Sequence, residues 1–133
     1  MLVVLDTNIL VAALLSPFGP PARVLDLVLS GDLRAAYDDR LLAEYREVLA
    51  RPKFSFAPAE VAVVLAYLEA DGERVTARPL ACDLPDPDDL PFLEVAAQVG
   101  AVLITGNTAH YPQASRGAAQ VVTPGEFLGS WRR

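Results

Sequence analysis

Apolar residues fall into two kinds of run along this chain. Residues 2–5 (Leu-Val-Val-Leu) and 101–104 (Ala-Val-Leu-Ile) are short, unbroken and bounded by polar residues, the pattern of strands buried on both faces. Residues 34–37 and 120–122 are further short strand candidates, and Val75 with its neighbours is another. Elsewhere the apolar positions recur every three or four residues. That spacing predicts helices over 9–15, about 21–29, one capped by Asp38 or Asp39 that carries Leu41, Leu42, Tyr45, Val48 and Leu49 and ends at Arg51-Pro52, 57–71, about 90–99, and from Pro124 through Trp131. Pro21 opens the second helix and Gly31 follows it, while Pro52, Gly72 and Gly100 stop the third, fourth and fifth. Residues 105–117 read as mostly loop. Strands and helices alternating at these distances predict an α/β sandwich around a parallel sheet.

At 133 residues the chain is expected to form a single domain spanning 1–133 with a sizeable core. It is 53% hydrophobic with few aromatics, shows no repeat, and has no Ser-, Gly- or Gln-rich tract. The apolar start lacks a basic leader and is interrupted by Asp6 and Asn8. The expectation is neither a signal peptide nor a membrane span, hence no membrane partner. One cysteine, Cys82, excludes an internal disulfide framework and fits a reducing cytoplasm. A net charge of −6 argues against a general nucleic-acid binder. It does not exclude an enzyme that meets phosphates through bound cations, which would reverse the local charge.

Four polar clusters punctuate the apolar pattern. The first strand ends at Asp6-Thr7-Asn8, and the carboxyl ends of parallel strands are where such sheets build sites. Asp6 either binds a cation there or caps the helix that follows. Glu44 lies roughly 100° from the centre of the stripe formed by Leu41, Leu42, Tyr45, Val48 and Leu49, whereas Glu47 lies roughly 160° away. Glu44 therefore borders the core, either reaching into a cleft or pairing with Arg40 at i, i+4. Asp83, Asp86, Asp88 and Asp89 crowd the entry to the fifth helix. Capping and the helix dipole account for two of them, and a cation would relieve the repulsion among the rest. Pro91 disfavours helical geometry at Leu90, leaving that helix start and the direction of Asp89 open. Last, the strand at 101–104 runs into Thr105-Gly106-Asn107, with His110, the only histidine, in the loop beyond.

In this order and spacing the clusters resemble the PIN-domain family of metal-dependent ribonucleases, and within it the toxin components of toxin–antitoxin pairs. The resemblance rests on Leu5-Asp6-Thr7-Asn8, Glu44-Tyr45, Asp86-Pro87-Asp88-Asp89 with Phe92-Leu93-Glu94 and Ala96, and Thr105-Gly106-Asn107 with His110-Tyr111-Pro112. It implies a three-layer α/β/α sandwich with a central parallel sheet. It also implies Asp6, Glu44 and Asp89 as catalytic acids holding Mg²⁺ or Mn²⁺, helped by Asp86 and Asn107. Thr7, Asn8, Asp88 and Thr105 would support them. Many relatives carry a fourth Asp where this chain has Asn107, so a second ion should be held weakly.

The activity so implied is endonucleolytic cleavage of single-stranded RNA, with a cognate antitoxin as protein partner and a homodimer as the assembly. Arg40, Arg46, Arg51, Lys53, His110 and Arg116 are the candidate RNA contacts. Two alternatives remain open. One is an aspartate-nucleophile phosphatase, which would need a second Asp where Asn8 stands. The other is a catalytically weak PIN fold serving as an RNA- or protein-binding module.

Overall fold

The computed structural model describes residues 1–131. Among them, five strands lie parallel in the order β3-β2-β1-β4-β5: β1 (Leu2–Leu5), β2 (Arg34–Tyr37), β3 (Glu73–Arg74), β4 (Val102–Ile104) and β5 (Gln120–Val122). The helices are α1 (Thr7–Leu15), α2 (Pro20–Leu29), α3 (Asp39–Leu49), α4 (Pro58–Asp71), α5 (Leu90–Val99) and α6 (Pro124–Ser130). They flank the sheet as an α/β/α sandwich, the architecture expected from the alternating pattern. Among the described residues, no single helix is long and apolar enough to cross a membrane.

The winding of the sheet places the site. From β1 the chain moves outward through β2 to β3, then returns past β1 to β4 and β5. The reversal falls between β1 and β4, where Val3, Val4 and Leu5 pair with Val102, Leu103 and Ile104. At such a switch point the loops leaving the two strands diverge and open a crevice at their carboxyl ends. Here those loops begin with Asp6 and Thr105. All six paired residues are at most 8% exposed, so the carboxylate and the hydroxyl emerge from a fully packed floor.

Boundaries moved where local chemistry outweighed pattern. α1 starts at Thr7 rather than Ile9, because Asp6 already has extended N-cap geometry. The short third strand is Glu73–Arg74, one step before Val75, whose N–H still bonds Tyr37 O at 2.7 Å. Leu90 is helical (φ −57°, ψ −41°) despite Pro91, since a 3-10 turn over Pro87–Asp89 runs straight into α5. Proline in a first turn leaves no N–H unsatisfied. The loop 105–117 contains two 3-10 turns, Thr108–His110 and Gln113–Ser115, and α6 ends one residue before Trp131.

Candidate active site

Asp6 is 5% exposed at the N-cap position of α1, yet its side chain caps nothing. It turns into the crevice, where Oδ2 accepts hydrogen bonds from Thr105 Oγ1 and Tyr111 Oη, both at 2.9 Å. Burial pushes its pKa above the ordinary carboxylate range, and the two hydroxyls oppose that push. The direction of the Thr105 bond is fixed by its other partners. Its oxygen receives the Asn107 N–H at 3.1 Å and Asn8 Nδ2 at 3.4 Å, leaving its own hydrogen for Asp6. Asn8 also accepts from Gly106 N at 2.9 Å through Oδ1, so it ties the end of β1 to the end of β4.

Glu44 is half-buried on α3, at the border predicted by helical phase. It accepts a hydrogen bond from Thr7 Oγ1 rather than pairing with Arg40. Burial raises its pKa, and the negative charges of Asp6, Asp88 and Asp86 raise it further. Arg40 is committed elsewhere, to Asp38 at 2.8 Å and Glu94 at 2.7 Å. Asp38, not Asp39, is the cap of α3, accepting from Leu41 N at 3.0 Å.

Asp89 opens α5 with its carboxylate 14% exposed and Oδ2 3.0 Å from His110 Nδ1. Its pKa is raised to about 6, by burial first and then by the charges of Asp6 and Asp86. Asp86 accepts from Asp88 N at 3.0 Å and so shapes the turn before α5, while Asp88 is exposed. The side chain of Asn107 is exposed, and its bond into the site is made by its main chain.

The crevice therefore gathers Asp6, Glu44 and Asp89 from three separate elements. Among the described residues no Arg or Lys pairs with any of them, and His110 is their one basic neighbour. No three His, Cys, Asp or Glu side chains among those residues form a ready-made metal cage. Mg²⁺ does not require one. It keeps several waters and is commonly held by one or two carboxylates together with substrate phosphates. An oxygen-rich donor set carrying mutual repulsion fits such a hard cation.

The repulsion has a testable sign. A carboxylate whose pKa is higher folded than unfolded binds more protons in the folded state, so its contribution falls as pH rises through the folded value. For Asp89 the window runs from its ordinary 3.8 to about 6. Metal-free wild type should therefore lose stability relative to Asp89→Asn as pH is raised from 4 to 7. Melting temperatures of both proteins across that range check it, and parallel curves would show that Asp89 is not electrostatically strained.

The remaining candidate cations are engaged in other ways. Arg46 lies 3.9 Å from Glu69, Arg51 binds Glu47 at 2.9 Å, and Lys53 stands over the Phe54 ring. Arg116 braces the 105–117 loop, donating to Tyr111 O at 2.7 Å and Thr108 O at 3.5 Å.

Three features were not singled out from sequence as parts of the site. Tyr45, fully packed beside it, donates to Leu5 O at 2.5 Å and fixes α3 to the strand that carries Asp6. Tyr111 is wholly buried against Asp6. Glu94 is 5% exposed and bridges Arg40 to Leu80 N. For Glu94 the usable signal was a carboxylate inside an apolar stretch, which must find a partner when buried, whereas Tyr111 lies in a polar loop that carries no such signal.

A sequence model of a family described as "PIN domain" matches residues 2–109. Among solved structures, a chain in the crystal structure of VapBC2 from Rickettsia felis bound to a DNA fragment from their promoter superposes with a TM-score of 0.61. It is 18% identical, and the match covers 92% of this chain and 98% of that one, a likeness of fold. No curated protein sequence matches.

Proposed function

Because the chain belongs to the PIN-domain family, whose members are generally nucleases, we propose that it is a metal-dependent endoribonuclease cutting single-stranded RNA. The observation that carries this reading is the crevice at the sheet's switch point. Three carboxylates converge there, and among the described residues no Arg or Lys balances them. Asp6 would hold Mg²⁺ or Mn²⁺, and Glu44 and Asp89 would hold it directly or through water. The bound ion would supply charge to the phosphodiester and lower the pKa of an attacking water.

The protein's own part is positional. Thr105 and Tyr111 hold Asp6 and Thr7 holds Glu44 by hydrogen bonds, while His110 Nδ1 stands 3.0 Å from Asp89. Burial raises the pKa of all three acids, a cost to the ionised forms that a bound cation would offset. Asn107 contributes no charge, so the protein's own acids would hold one ion and a second would depend on the substrate's phosphates.

A toxin's role with a cognate antitoxin is the wider form of the proposal. Its support is the fold shared with a chain of the VapBC2 structure, together with an apolar groove of about 380 Å³. That groove is lined by Ala13, Leu14, Leu25, Leu29, Val63 and Val64, among others. Nearby Leu15 and Phe18 are 58% and 92% exposed, surface of the kind that marks a protein partner.

The purified chain should cut unstructured RNA with Mn²⁺ or Mg²⁺ and stop when a chelator is in excess. Co-expression with the product of a small neighbouring gene should suppress that cutting. Cleavage that persists in chelator would remove the metal. RNA bound with metal but never cut would make the protein a binding module instead, and cutting unaffected by the neighbour would remove the antitoxin.

A further inference from the structure

We infer that Tyr111 is a positioning residue for the cation site, turning Asp6 so that Oδ1 is the oxygen offered to a metal ion. This rests on the nuclease reading and deepens it. Both side-chain donors to Asp6, Thr105 Oγ1 and Tyr111 Oη, land on the same oxygen, Oδ2, at 2.9 Å each. Two hydroxyls on one oxygen restrict the turning of the carboxylate, which also meets the Thr7 main-chain N–H, and among the described residues its second oxygen has no side-chain donor. Partners that orient a ligating carboxylate in this way typically govern metal affinity.

The contrast with Tyr45 shows that this is not the ordinary fate of a buried tyrosine here. The Tyr45 hydroxyl satisfies itself on a main-chain carbonyl, Leu5 O. Tyr111, wholly buried, spends its only hydrogen on the carboxylate. Nor is its placement an accident of one contact. The loop leaves β4 at Thr105, which binds Asp6, and returns at β5. Between those points the consecutive residues His110 and Tyr111 reach two acids carried by different elements. His110 meets Asp89 at the start of α5, and Tyr111 meets Asp6 at the end of β1. Arg116 fixes that stretch through the carbonyls of Tyr111 and Thr108. One braced loop thus sets both the orientation of Asp6 and its spacing from Asp89.

Tyr111→Phe removes the hydroxyl and keeps the ring that fills the core. Calorimetric titration of Mn²⁺ should show affinity weakened about tenfold. The Mn²⁺ concentration for half-maximal RNA cleavage should rise by a similar factor, with the rate recovering at saturating Mn²⁺. Circular dichroism of the metal-free variant should stay native. Unchanged affinity in a folded Tyr111→Phe overturns the positioning role and leaves the nuclease reading standing. Wild type that binds no Mn²⁺ overturns both. Should Tyr111→Phe fail to fold, Arg116→Gln slackens the same loop from outside the core. It should weaken Mn²⁺ binding in the same direction, and unchanged affinity there would equally overturn the role.

Discussion

Replacing Asp6 by Asn should lower RNA cleavage by about a thousandfold, while the metal-free protein keeps or gains stability. The activity loss follows from removing the charge around which the cation is held, worth several kcal/mol of transition-state stabilisation. The stability result follows from the shifted pKa. Burial raises the Asp6 pKa, so at neutral pH the ionised carboxylate is a cost to the folded, metal-free state. An amide has nearly the same shape, and its oxygen can accept the same hydrogen bonds from Thr105 and Tyr111. Mn²⁺ should raise the melting temperature of wild type by mass action and leave Asp6→Asn where it was. A drop of many degrees without metal would make Asp6 a structural residue and sink its assignment as the central ligand.

That pairing of lost activity with retained stability is what separates a site from a scaffold. Sequence separated the two only where a residue's surroundings are local. The strands at 2–5 and 101–104 were legible because a parallel sheet buries both faces, leaving an unbroken apolar run. Glu44 was legible as a border residue because the 3.6-residue period is a property of α3 alone. The competition between Arg40 and Thr7 for Glu44 was not. It depends on Asp38 and Glu94 already holding Arg40, and Glu94 stands 54 residues away in the chain. Tyr111 illustrates the same limit, since its role comes from a loop that folds back across the switch point to a residue 105 positions earlier. Pattern reveals which face a residue prefers. Which partner it finds is decided by strand order.

Replacing Glu94 by Ala should destabilise the fold by about 2–3 kcal/mol, a fall in melting temperature of roughly ten degrees for a domain of this size. Glu94 is 5% exposed in α5, and its two oxygens answer two different demands. Oε1 accepts from Arg40 Nη1 at 2.7 Å, and Oε2 accepts from Leu80 N at 2.8 Å. Arg40 in turn holds Asp38, which caps α3. Removing one partner of a buried pair typically costs about 3–5 kcal/mol. The lower figure is expected here because Arg40 is 48% exposed and can turn to water. The Leu80 N–H, only partly buried, loses its side-chain acceptor as well. Glu94→Gln should cost less, since an amide oxygen can still accept from Leu80 N. The same network joins α5, which opens with Asp89, to α3, which carries Glu44. Cleavage by Glu94→Ala, measured well below its melting temperature, should therefore fall further than that of Glu94→Gln. Denaturant melts of both variants test the ranking. If both unfold with wild type, the Arg40–Glu94 bridge holds nothing that packing does not already hold, and the spacing of Glu44 from Asp89 must be set by the core beneath them.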